Sequence, residues 1–354
     1  MIPRTAKAAV GRRILDAFTA AGAGEVAPDV LMPSATLLDL YGEDIRARAY
    51  LTTDPVRGEV VLRPDFTVPV VQMHMAGGAD PARYCYLGEV FRKQDHGDTR
   101  PAQPRDNEYL QAGFELFSRD RRADAEVFAL FHGILAPYRL SATIGDMDLI
   151  LDAIAGLPLS DARRAILAHH IWRPTRFARL LDRFSAPVAP RHFAVNDAPW
   201  TGLRGTAEMA ARIERLESHR AEPTLPAIWR ERLQRLFAVA GPAPEALDEL
   251  RVLADHMPAI ADATDRLAAR LRDLSALGVD PETIHFDARH GRQTMEYYDG
   301  FTFSFTAPGR TDWPPVASGG RYDALTAVLG QGSGNGTIPA VGGIIRPALV
   351  AALC

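Results

Sequence analysis

Cysteine is nearly absent from this 354-residue chain: its two cysteines, Cys85 and Cys354, stand far apart, with no CxxC or Cys/His spacing around them. A disulfide framework and a zinc ligand set are therefore not expected, and a reducing compartment fits best. No run of ~18 apolar residues occurs, and no N-terminal stretch joins basic residues to an apolar segment and a cleavage site. The expectation is a cytoplasmic protein that neither spans a membrane nor is exported. A charge excess of one sign is also lacking: 40 Lys and Arg face 44 Asp and Glu, a formal net charge of -4. Such a balance supplies no bulk attraction to nucleic acid, and tRNA is not an expected partner. Among chemical signatures, the Gly-x-Ser-x-Gly elbow is missing. The glycine-rich stretch 330–336 lacks the Lys-Ser/Thr ending of a phosphate loop and follows a helical pattern instead of a strand. His169, His170 and the other histidines have no paired carboxylate or regular spacing, so no metal and no cofactor are expected.

What is present is a core-forming composition, 47% hydrophobic, arranged in two kinds of pattern. Residues 7–22 place apolar residues at helical spacing and end on glycine, which predicts an amphipathic helix. Segments 59–62, 83–91 and 109–117 are short and rich in β-branched and aromatic residues, which predicts antiparallel strands, with 93–107 as the loop between the last two. A helix over 124–138 and a strand over 140–145 follow. From 147 to 277, Leu, Ala and Arg recur at helical spacing through 162–184, 206–220, 227–239 and 244–277. Pro187, Pro190 and Pro199 predict an irregular connection over 185–205. Strand signals return at 283–287 and 297–306, and a helix to Leu329 and a final apolar run from Ala340 close the chain. The pattern predicts an α+β fold: residues 1–146 and 278–354 build an antiparallel sheet flanked by helices, and 147–277 form a mostly helical insertion.

Three clusters carry polar chemistry. Arg63, Asp65 and Thr67 put a cation, an anion and a hydroxyl at a strand end, an arrangement that suits either an ammonium site or a turn with an Asp cap. Arg92 ends the next strand, and Gln111, Gly113 and Glu115 alternate along the one after it. Alternation sends Gln111 and Glu115 to one face, with Gly113 leaving space between them, so the pair faces either a polar ligand or solvent. Gly319 and Gly320, before Arg321, Tyr322 and Asp323, permit close backbone approach, as a ligand floor or as a tight connection.

Taken in order, these clusters resemble the class II aminoacyl-tRNA synthetases, and the histidyl enzyme in particular. Pro28 resembles the motif 1 proline, LRPDFT (62–67) the family's LRPEGT, and RYCYLGEVFR (83–92) with NEYLQAGFE (107–115) its motif 2. MEYYDG (295–300) and ASGGRYDAL (317–325) resemble the two histidine-specific segments. The resemblance runs through most of the chain and implies a class II antiparallel sheet flanked by helices, with a helical insertion. It also implies roles for individual residues: Asp65, Thr67 and Gln111 at an α-amino group, Glu115 and Tyr298 at an imidazole, and Arg92 as a nearby cation. Asp65 is one methylene shorter than the family's glutamate.

Departures from the pattern separate binding from catalysis. Gln293 stands where the synthetases have an arginine against the substrate carboxylate and the ATP α-phosphate, and the adjacent Arg292 points to the opposite face of an extended segment. Gln94 replaces a motif 2 carboxylate, and Leu349 replaces the motif 3 arginine. Losing two cations around a reacting phosphorus centre argues against adenylation, so no catalytic residue is expected. The chain ends at Cys354 directly after motif 3, which leaves no room for an anticodon-binding domain. The combination resembles the regulatory subunits of ATP phosphoribosyltransferase. That likeness implies a homodimer, a short-form catalytic subunit as partner, and free histidine as ligand. The competing readings are an active adenylating ligase or minimal synthetase, which would catalyse pyrophosphate exchange, and an interaction module with an empty pocket, which no amino acid would stabilise.

Overall fold

The computed structural model describes residues 2–34, 48–93, 107–187, 202–292, 297–330 and 337–354. Gln94 and most of the 93–107 loop, residues 188–201, Gln293 and glycine stretch 331–336 lie outside them.

Helix α1 (Arg4–Ala20) buries Val10, Ile14, Leu15 and Phe18 along one stripe and stops before Gly22, whose φ of 87° ends a helix at little cost. Short strands β1 (Gly24–Glu25) and β2 (Leu31–Pro33) lead to β3 (Tyr50–Asp54) and β4 (Gly58–Leu62), and helix α2 (Thr67–Met75) follows. Strands β5 (Ala82–Phe91) and β6 (Glu108–Phe117) pair antiparallel over their whole length. Next come α3 (Ala123–Leu135), β7 (Ser141–Asp146) and the helices α4 (Met147–Ala155), α5 (Asp161–His169), α6 (Pro174–Ser185), α7 (Thr206–Ala221) and α8 (Ala227–Ala238). Then β8 (Ala240–Pro242), α9 (Ala243–Ala254), α10 (Ala261–Ala276), β9 (Ile284–Asp287), β10 (Phe301–Thr306), β11 (Ala317–Arg321), α11 (Asp323–Leu329), β12 (Ala340–Ile345) and α12 (Pro347–Leu353) complete the chain.

The main sheet runs β1-β5-β6-β12-β11-β10-β7-β9-β8, and β2-β4-β3 form a small second sheet. From β5 to β7 every pair is antiparallel, while β1 with β5 and β7 with β9 are parallel. The α+β class and the class II-like sheet are as expected, with the parallel pairs as an addition near its ends.

Several element boundaries differ from expectation, each for a local reason. The helix predicted over 162–184 is two helices, because Pro174 cannot continue the hydrogen-bond ladder and starts a new helix as its first residue. The stretch 244–277 breaks in the same way at a 3-10 turn, Pro258–Ile260. Helix 124–138 ends at Leu135 in a 3-10 turn containing Pro137. β8 has no strand signature, and its pairing with β9 is what extends it. The strand predicted over 297–306 begins only at Phe301. Before it, Asp299 turns its carboxylate to the backbone N–H groups of Asp323 and Ala324 at the start of α11, which an extended chain could not do.

The two faces of the main sheet serve different clusters, as the period-two alternation of strands dictates. On one face Phe114, Phe303 and Phe305 pack with Phe18, Phe128 and Phe131 and with the apolar stripes of the helical stretch, including Leu250, Leu267 and Leu274. Phe301, Phe303 and Phe305 alternate with Thr302 and Ser304, and the latter two hydroxyls hold both ring nitrogens of His290 at 2.8 Å. Burial of that ring pushes its pKa down to about 4. On the other face Tyr86, Tyr298 and Tyr322 pack with Phe66, Val68 and Val71, so α2 and the loop before it cover this side. Among the described residues no helix is long and apolar enough to cross a membrane.

Candidate functional site

The covered face is floored by glycine. Gly320 on β11 lies opposite Gly342 on β12, and Gly342 opposite Glu115 on β6. A Cβ on Gly342 would fall 1.6 Å from Glu115 Oε2, and one on Gly320 2.8 Å from the Tyr298 ring. These glycines are thus neither a bare floor nor a mere connection. They let the carboxylate and the phenol lie flat against the backbone of neighbouring strands.

Glu115 is fully buried and its carboxylate is held by three hydroxyls. Thr67 donates to Oε1 at 2.9 Å, Tyr86 to Oε1 at 3.0 Å and Tyr322 to Oε2 at 2.6 Å. The donors arrive from α2, β5 and the end of β11, so no local segment could build this cage. Burial pushes the Glu115 pKa up, the three hydroxyl bonds oppose that, and nearby Asp65 adds to it, leaving a value of about 7. Tyr86, Tyr298 and Tyr322 are all pushed up by burial and then by the Glu115 charge. All three stay protonated, and Tyr86 and Tyr322 donate to Glu115.

Of the six residues singled out from sequence, Asp65, Thr67, Glu115 and Tyr298 meet on this face, Gln111 shares it by strand alternation, and Arg92 follows the end of β5. Thr67 and Glu115 are bonded directly. Tyr298 lies over Gly320, within electrostatic range of Glu115, and the hydroxyls that bond Glu115 are those of Tyr86 and Tyr322 instead. Asp65 is buried and its Oδ1 accepts from the Val68 N–H at 3.5 Å, a contact within its own turn. Gln111 is buried, and its Oε1 has no hydrogen-bond partner among the described residues. A buried orphan acceptor is costly, which favours the ligand-facing reading of that strand over the solvent-facing one. Arg92 reaches back with Nε to the Pro64 carbonyl at 2.7 Å, tying the strand end to the turn that carries Asp65.

Two expectations need correction. The space beside Gly113 is not empty: Tyr86, its cross-strand partner, fills it, and a Cβ there would stand 2.1 Å from the ring. Arg63 is structural, since it bonds the Glu89 and Pro28 carbonyls at 2.9 and 2.6 Å and lies 3.9 Å over the Phe66 ring. Tyr86 and Tyr322 were missed as site residues. The one available signal was an aromatic facing a glycine across a ladder, and it is readable only once the register is known.

Arg292 is buried away from the site, bonded to the Ile171 carbonyl at 2.9 Å and stacked near Phe177 and Phe237, so it supplies no cation to the pocket face. Leu349 packs against the apolar core at the start of α12. Gln94 and Gln293 lie outside the described residues. His169 and His170 stack edge to face at 4.7 Å, and no metal-ligating cluster occurs among the described residues.

Comparison with known proteins gives one consistent picture. The family model described as histidyl-tRNA synthetase matches residues 2–187 and 206–346. A protein of Allorhizobium ampelinum named ATP phosphoribosyltransferase regulatory subunit is 32% identical, with 93% of each chain covered. One of the same name from Mesorhizobium japonicum is 30% identical, with 94% of each covered. Among solved structures, an ATP phosphoribosyltransferase regulatory subunit/histidyl-tRNA synthetase from Bacillus halodurans superposes with a TM-score of 0.72 at 20% identity, covering 99% of this chain and 80% of that one. A histidyl-tRNA synthetase from Nostoc sp. superposes with a TM-score of 0.64 at 16% identity, covering 98% and 72%. These last two likenesses concern the fold.

Proposed function

This chain belongs to the histidyl-tRNA synthetase family and, within it, to the ATP phosphoribosyltransferase regulatory subunits, and from that premise we propose that it is a non-catalytic, histidine-sensing partner of a short-form ATP phosphoribosyltransferase catalytic subunit in the cytoplasm. The observation that carries the sensing role is the caged carboxylate: Glu115, Thr67, Tyr86 and Tyr322 form a buried polar centre that nothing in a purely structural sheet requires. On this reading Asp65 and Gln111 take the α-amino group, Tyr298 packs against the ring and Arg92 is the nearby cation. Purifying the chain together with the catalytic subunit and assaying phosphoribosyl transfer with and without histidine tests the whole reading. Co-assembly and histidine-dependent inhibition are expected; a catalytic subunit indifferent to both the chain and histidine overturns it.

Histidine should bind the chain, and Glu115→Gln should weaken binding by roughly 1.5–3 kcal/mol, the worth of a hydrogen bond to a charged group. The amide presents an N–H₂ where one of three hydroxyl donors now points, so the cage itself is disturbed. Calorimetric titration checks this, and equal affinity in both proteins would move the histidine site elsewhere. The chain should also form a homodimer through the region of Pro28, as the class II resemblance implies, with the same patch buried twice. Light scattering at micromolar concentration measures it, and a monodisperse monomer counts against the dimer.

A further inference from the structure

The hydrogen bonds around Glu115 carry a consequence for which form of a ligand the pocket accepts. All three hydroxyls donate, so they favour the ionised carboxylate, yet among the described residues no Lys, Arg or His side chain pairs with it. Among the described residues, the groups that face it are the Thr67 hydroxyl from α2, the Tyr86 phenol from β5, the Tyr322 phenol from the end of β11, the bare backbone of Gly342 on β12, the Tyr298 phenol before β10 and the Asp65 carboxylate. All are neutral or negative. A carboxylate offers about four lone-pair positions, and three are used. The remaining one is on Oε2, which among the described residues has only the Tyr322 bond.

Resting on the histidine reading above, we propose that the imidazole of the ligand and Glu115 hold one proton between them, so that the pocket takes up a proton with its ligand and prefers a basic azole side chain. A buried anion without a cation is unfavourable, and a protonated ring would be the missing positive charge. The proton comes from solvent and stays on the ring–carboxylate pair; no bond other than the N–H or O–H forms. Because the free carboxyl titrates at about 7 and free imidazole near the same pH, neither partner reliably brings the proton above neutrality. Each additional unit of pH then makes the complex harder to form. Below pH ~6.5 both partners are protonated when apart, one proton must leave on binding, and affinity falls again.

Calorimetry of the intact protein with free histidine, in two buffers of different ionisation enthalpy at pH 8.0, counts the protons directly. Uptake of roughly 0.8–0.9 proton per histidine is expected, together with a drop in affinity approaching tenfold between pH 7.5 and 8.5 and a maximum near pH ~6.5–7. Glu115→Gln should show weaker binding that is flat over the same range. The wild-type proton count stands without the variant should the variant fail to fold. Histidine binding with no buffer-dependent heat and flat affinity overturns proton sharing while leaving the histidine reading intact. Absence of binding in every buffer overturns both.

Discussion

Incubated with ATP, histidine and labelled pyrophosphate, the isolated chain is expected to show no exchange above background. A synthetase active site works by placing cations where charge develops on the reacting phosphorus, and each such contact is typically worth ~3 kcal/mol. In this chain Leu349 stands at the motif 3 arginine position and is packed into the apolar core, while Gln293 stands at the other. Arg292, the nearest candidate to compensate, is committed to the Ile171 carbonyl and two phenylalanine rings on the far side. Two lost contacts amount to about four orders of magnitude in rate. Histidine-dependent exchange at a rate typical of synthetases would contradict this, and replacing Leu349 by arginine alone should not restore it.

Arg270→Met is expected to destabilise the fold by roughly 3–5 kcal/mol, the usual cost of removing one partner from a buried ionic network. Arg270 on α10 reaches Asp124 on α3 at 2.9 Å and Asp146 at the end of β7 at 3.0 Å, and lies 4.3 Å over the Phe301 ring. Asp124 also holds Arg321 at 2.6 Å, and Arg321 holds Asp323 at 3.1 Å. Burial alone would push the Asp124 pKa up, but the Arg321 and Arg270 charges outweigh it and keep the carboxyl low. Deleting Arg270 leaves Asp146 buried with only the Asp148 N–H to meet its charge among the described partners. The network ties the helical stretch to the strand end whose next residue, Tyr322, donates to Glu115, so packing of α10 and the shape of the pocket are held by one set of charges. Urea unfolding measures the cost. Arg270→Lys, which keeps the charge and loses the fork, should fall between wild type and Arg270→Met, and a loss below about 1 kcal/mol for Arg270→Met would mean the network is dispensable.

Local sequence was a good guide wherever a segment answers to its own periodicity. The stripe of Val10, Ile14 and Phe18, the alternation of Phe301, Phe303 and Phe305, and the paired strands around Glu115 were all legible, because burial on one face imposes a repeat on the residues themselves. Helix breaks at Pro174 and Pro258 were missed because the surrounding Leu and Ala kept the helical spacing across them. β8 could not have been found, since three residues without strand character are extended by a partner, β9, more than forty residues on.

For the site, the ordered motifs brought Asp65, Thr67, Gln111, Glu115 and Tyr298 together on sequence resemblance alone, and also marked which cations were replaced. Side-chain direction in space was decided elsewhere. Tyr86 faces Glu115 because β5 pairs with β6 in one register, and a shift of one residue would have sent it to the opposite face. Glu115 can lie buried only because Gly342 opposite it has no Cβ, and Tyr322 can reach it only because β11 ends beside β12. Composition, periodicity and motif order determine which residues belong to the sheet and which chemistry they carry. Tertiary structure decided which hydroxyls meet the carboxylate and how buried it is, because those depend on register and close approach between segments that no single stretch of chain encodes.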